Sequence, residues 1–295
     1  MPPIFALFVA ATLFTTMLAL GLGLRGDAPE LLRARPALFT RVLLGSCLLV
    51  PLVALLLLKL PASQVISGPA RYAIALMALS PSAPLTLRKA GKKGGDRELA
   101  ASLQVGAALL AILSIPLLAD LFRSSFQVEG WQISPQQVAL QVGKVQVLPL
   151  LLGLLLRRYQ PAWAERLRPG LDRLANLLLL LLIVLVLLKT APVLLTFMGG
   201  NLPALAGMAV MTLASLAIGY LLAGRDQGER TTISLVTSMR NPGLALLFAS
   251  TFAPNQAGVK IAILCYLLVT VLVSIPFLRF QQRQHAAAER LPQGY

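Results

Sequence analysis

Ser80-Pro81-Ser82-Ala83-Pro84 and Met239-Arg240-Asn241-Pro242-Gly243 interrupt two long apolar runs of this chain near their middles. Proline lacks an N–H and its ring clashes with the preceding turn, so neither stretch continues a regular helix. In hydrocarbon, each unsatisfied backbone group costs several kcal/mol. Non-helical backbone at that depth is tolerated only where protein buries it or water reaches it. A matched pair of interrupted spans therefore points to the binding site of a secondary transporter.

Composition supports a membrane setting. Apolar residues make up 57 % of the 295 positions and charged residues 13 %, about half the charged share of a soluble domain. The formal charge of +15 does not indicate nucleic acid, because the basic residues sit in short gaps between apolar runs, where orientation signals belong. Cys47 and Cys265 lie within apolar runs and read as small buried hydrophobes. His285, the one histidine, is in the polar tail, which excludes a histidine-based metal site or triad inside the membrane.

Nine spans of about 20 residues each follow from the apolar runs. They lie near 3–24, 40–60, 72–90, 98–122, 136–156, 172–196, 203–223, 230–252 and 257–279, within one domain covering 1–295. The first has no basic residues before it and reads as a retained span, not a signal peptide. Nineteen Lys and Arg fall in alternate gaps and the tail, among them Arg25, Arg33, Arg35, Lys92, Arg157, Arg158 and Arg166. Five fall on the opposite side, and Lys144 and Arg240 lie within spans. The positive-inside rule then places the N-terminus outside and the C-terminus in the cytoplasm of a cell (inner) membrane. The interruptions fall in spans 3 and 8, which therefore run in opposite directions, as an inverted repeat requires. Spans 1–4 would pair with 6–9. No residue-level repetition between these halves is evident.

All eleven acids lie in gaps, near span ends or in the tail. That argues against a carboxylate-based proton relay or cation site, and against a membrane enzyme. No cofactor or metal is implied. Arg240 is the sharpest residue, since a charge at mid-bilayer costs at least about 2.5–3.5 kcal/mol and marks function by default. Arg240 contacts a substrate, bonds carbonyls freed at its break, or does both. Lys144 is a second mid-span cation, with a structural or snorkelling role as its alternative. Ser80, Ser82, Thr86, Thr237, Ser238 and Asn241 surround the two interruptions and can ligate a cation or hydrogen-bond a substrate.

These stretches resemble the bile acid:sodium symporter family, within the wider bile acid, arsenite and riboflavin transporter group. Met17 to Leu24 resembles the end of the family's second helix, and Ala78 to Ala83 its first crossover. Gly143 to Pro149 resembles its lysine-containing helix, and Met239 to Ala245 its second crossover. The resemblance implies a core domain with two crossing broken helices packed against a panel domain, and sodium-coupled transport of an organic anion. It also implies that the first of ten helices in some members is absent here. The family's sodium-ligating positions correspond to Thr86, Leu87, Ser102, Val236 and Arg240, a degenerate set: the carboxylate has become valine and an amide has become arginine.

The sequence thus predicts an all-α polytopic membrane protein carrying a small organic anion across the bilayer by alternating access. Sodium is the partner most affected by the departures. The alternatives are a sodium-independent carrier or exchanger, in which Arg240 replaces the coupling cation, and a non-transporting scaffold or receptor.

Overall fold

Proline and glycine set where the helices start and stop. The computed structural model describes residues 3–24, 33–81, 95–125 and 135–290, and every regular element among them is helical. The helices are α1 (Pro3–Gly23), α2 (Pro36–Lys59), α3 (Gly68–Leu79), α4 (Arg97–Ser125) and α5 (Pro135–Tyr159). They continue as α6 (Pro161–Gly200), α7 (Leu202–Leu222), α8 (Gln227–Ser238), α9 (Pro242–Phe252) and α10 (Ala257–Arg290). Proline stands in the first turn of α2, α3, α5, α6, α7 and α9, where a missing N–H costs nothing and the fixed φ suits a helix.

Among the described residues, seven helices are long and apolar enough to cross a membrane: α1, α2, α4, α5, α6, α7 and α10. They coincide with seven of the nine expected spans. At the other two, 72–90 and 230–252, the helices are short. Helix α3 stops at Leu79, and α8 and α9 are separated by Met239, Arg240 and Asn241. The second interruption thus falls just before the expected Asn241–Gly243, because Pro242 and Gly243 already open α9. Ser82, Thr86 and Leu87 lie outside the described residues.

Two spans contain a turn of π-helix, Gly45–Leu49 in α2 and Gly143–Val147 in α5. The cause is a shared spacing. Proline follows six positions after the glycine in each, at Pro51 and Pro149, and cannot donate to the fourth carbonyl before it. The chain widens one turn instead: Val50 N–H reaches the Gly45 carbonyl and Leu148 N–H the Gly143 carbonyl. This leaves the Ser46 carbonyl without a helical donor, since its α-type donor has gone to Gly45 and its π-type donor would be Pro51.

Helix α6 departs most from expectation. It begins at Pro161 rather than near 172, so Arg166, Arg168 and Arg173 stand on a helix and not in a loop, with only Gln160 between α5 and α6.

Helices α1, α5 and α6 pack on one another. Glycines let α1 and α5 touch through their backbones: a Cβ on Gly21 would lie 2.5 Å from the Leu150 carbonyl oxygen, and one on Gly153 2.5 Å from that of Leu18. Such small-residue contacts drive helix association where no hydrophobic effect operates between spans. A second group joins α3 to α10 and α7 to both α8 and α10, with α2 and α4 against it. There Gly219 of α7 admits the backbone of Ser234. Helix α9 packs against α1, α3 and α10.

One repetition escaped the sequence reading. Ser114-Ile115-Pro116 lies within α4 and Ser274-Ile275-Pro276 within α10. Each helix follows an interrupted one, and each proline interrupts the interior of its helix. Three identical residues amid interchangeable aliphatics gave too little signal without the helix boundaries.

Candidate functional site at the two helix breaks

Helices α3 and α8 both end at mid-span, and their terminal carbonyls need donors. Pro81 removes the α-type donor of the Met77 carbonyl, and Pro84 that of Ser80. The backbone N–H of Asn241 donates instead to the Ser80 carbonyl at 2.9 Å, so the two breaks touch. That diversion leaves the Thr237 carbonyl, four residues before Asn241, without its own donor.

Arg240 gathers carbonyls from both breaks and from the π turn of α2. Nε donates to Met77 O at 3.1 Å, and Nη1 to Ser46 O at 3.1 Å and Thr237 O at 3.3 Å. Nη1 also meets Ser46 Oγ at 3.2 Å, and Nη2 donates to the Ala78 carbonyl. The residue is 2 % exposed. Two of the four, those of Ser46 and Thr237, have been deprived of a helical donor by the π register and the helix break, while Met77 keeps the Ser80 N–H at 3.1 Å. An orphaned buried carbonyl costs about 1–3 kcal/mol, so one guanidinium removes two such penalties. Its charge is answered by dipoles. The C-terminal ends of α3 and α8 each carry roughly −0.5 elementary charge, so two of them together balance a single cation.

Asn241 caps α9, its Oδ1 accepting from Leu244 N–H at 3.1 Å, while Nδ2 is buried without a partner among the described residues. Ser80 spends its hydroxyl on Leu76 O at 2.8 Å. Thr237 Oγ1 and Ser238 Oγ are buried without hydrogen-bond partners among the described residues. Ser102 Oγ is in the same condition on α4, which packs against α8. Val236 lies in an apolar cluster with Leu103 and Met239.

Lys144 departs from the expectation of a buried cation. It is exposed, in the π turn of α5 along an outward stripe with Leu140, Leu148 and Leu155, and hydrogen-bonds none of the residues around Arg240. Helix α5 turns its Val142, Gln146 and Gly153 side inward instead.

Sequence reasoning missed three participants. Ser46 was legible only through the glycine-to-proline spacing that makes the π turn. Ser234, buried on α8, and Gln104, buried on α4, have side-chain polar atoms without partners among the described residues and left no local signal. Buried polar groups normally find partners, and among the described residues these have none.

Seven membrane-length helices and a polar centre built on interrupted ones define a polytopic α-helical membrane protein. A model of the Sodium Bile acid symporter family matches residues 10–197, more than half of the chain, and the chain belongs to that family of membrane transporters. No curated protein matches it.

Proposed function

We infer that the protein is a secondary carrier that moves a small organic anion by alternating access, with Arg240 as a tethered cation in place of a coupling ion. One observation carries this reading: the guanidinium is bound by the carbonyls of Ser46, Met77, Ala78 and Thr237, drawn from three segments. Backbone carbonyls and half-helix C-termini are what a transporter offers a coupling cation. Here the cation is covalent and cannot leave. Sodium beside it would meet a like charge, at about 4 kcal/mol for 4 Å and an effective dielectric near 20, with valine at position 236 instead of a carboxylate.

The substrate site extends from Asn241 Nδ2 and the start of α9 to the hydroxyls of Ser234, Thr237, Ser238 and Ser102, with Ser80, Ser82 and Thr86 from the first break. Helix N-termini favour anions, and unpartnered donors complete their bonding on a carboxylate or sulfonate. Lys144, on the outward stripe of α5, stands outside this site. The close packing of α1 on α5 and α6, with α6 also against α10, supports a panel that rocks on a core of α3, α7, α8 and α10, in an inner membrane with the C-terminus cytoplasmic. The Ser-Ile-Pro recurrence supports the inverted repeat.

The test is uptake of a panel of carboxylates and sulfonates into proteoliposomes in sodium, potassium or choline buffer, paired with ligand-dependent thermal stabilisation. Uptake and stabilisation should be equal in all three buffers. Uptake that vanishes without sodium overturns the tethered-cation reading.

A further inference from the structure

Helix α6 presents arginines on two different faces near its N-terminal end. Arg157, from the end of α5, bonds Glu165 at 3.1 Å, and Arg168 faces Asp172 at 3.6 Å and packs over Gly23 of α1. These two guanidinium groups turn toward the protein and are neutralised there. Arg166 and Arg173 are exposed and have no acidic partner among the described residues. Seven positions separate them, so they share one helix face about 10 Å apart along the axis. Trp163, 57 % exposed, lies on the same face, and so do Leu174 and Leu177.

Length places this face at a membrane boundary. Helix α6 has 40 residues, about 60 Å at 1.5 Å each, against a hydrocarbon layer of about 30 Å. Its first turns therefore lie among the headgroups. Asn176 is the only polar residue from Leu174 to Leu188, so hydrocarbon begins next to Arg173. Tryptophan and arginine at such a boundary, above an exposed leucine face, match a phosphate group above its acyl chains.

We propose that Arg166 and Arg173, with Trp163 beside them, bind the phosphate of an anionic phospholipid whose acyl chains lie along Leu174 and Leu177. Two unpaired cations against one phosphate select a lipid with net negative charge over a zwitterionic one, whose own cation the pair repels. This site lies on the outer face of α6, away from the breaks, and does not depend on what the protein transports.

The experiment is thermal unfolding of the detergent-purified protein with added phosphatidylglycerol or phosphatidylcholine, alongside native mass spectrometry of retained lipid. Wild type should melt several degrees higher with phosphatidylglycerol and keep it as an adduct. R166Q/R173Q should lose at least half of that difference, while R166K/R173K, which preserves charge, should keep most of it. Both variants should melt like wild type in phosphatidylcholine, which separates lipid binding from loss of fold. An unchanged difference in R166Q/R173Q overturns the proposal, as does its loss in R157Q/R168Q instead. Inorganic phosphate at millimolar concentration should give no stabilisation; if it reproduces the phosphatidylglycerol effect, the site takes a free anion and the lipid assignment fails.

Discussion

Nη1 of Arg240 donates to both the carbonyl and the hydroxyl of Ser46, at 3.1 and 3.2 Å, across 194 positions of sequence. The contact exists because α2 has given up one of its own hydrogen bonds. The π turn sends Val50 N–H to Gly45, and Pro51 has no N–H to offer. A defect in one span thus supplies an acceptor for the cation of another.

Replacing Pro51 by alanine should weaken that contact. The new N–H competes for the Ser46 carbonyl and favours a regular α-turn. Alanine is the better helix former by about 3 kcal/mol in isolation, so destabilisation would be the opposite of what propensity dictates. We expect a lower melting temperature for Pro51→Ala in wild type and none of that loss in an Arg240→Ala background, read as a double-mutant cycle.

Arg240→Ala should destabilise the protein by about 3–5 kcal/mol, the range for removing one partner from a buried charged arrangement. Four carbonyls would lose the guanidinium, and those of Ser46 and Thr237 have no helical donor to fall back on. Arg240→Lys should recover only part, because an ammonium cannot span acceptors that the planar guanidinium reaches together. Melting curves in detergent check the order wild type, lysine, alanine; an alanine variant as stable as wild type contradicts the clamp.

Ser234→Ala and Ser238→Ala should leave stability within about 0.5 kcal/mol, since each removes a buried hydroxyl that has no partner among the described residues. Transport should suffer instead, with the apparent KM raised roughly 10-fold for a lost bond of about 1.4 kcal/mol. Equal KM values for both variants and wild type would remove these hydroxyls from the substrate site.

Gly153→Leu should separate α1 from α5. Even a Cβ at this position lies 2.5 Å from the Leu18 carbonyl, and backbone cannot rotate away as a side chain can. Overpacking of this kind costs about 1–3 kcal/mol, detected as a lower melting temperature or loss of monodisperse protein on size-exclusion chromatography.

A reporter fused after Tyr295 should be active only in the cytoplasm, as the nineteen-to-five division of basic residues requires. Activity on the outer side would mean that one span has been miscounted.

Sequence alone determined the class of fold and, to within a few residues, where α3 stops and where α8 gives way to α9, because these follow from local chemistry. Apolar runs of span length and prolines at 81, 84 and 242 act within a few residues of themselves, whatever surrounds them. Arg240 was legible as a cation with no intramembrane acid to meet it. Its partners were not. Three of its four carbonyl acceptors lie on segments more than 160 positions away, and every residue type carries a carbonyl, so nothing in the letters marks which ones are orphaned. Lys144 and Arg240 looked alike as mid-span cations, yet one is exposed and the other 2 % exposed. Which face of a helix turns inward depends on the helices packed against it. Only the tertiary structure decides that, because burial and hydrogen-bond satisfaction are properties of neighbours.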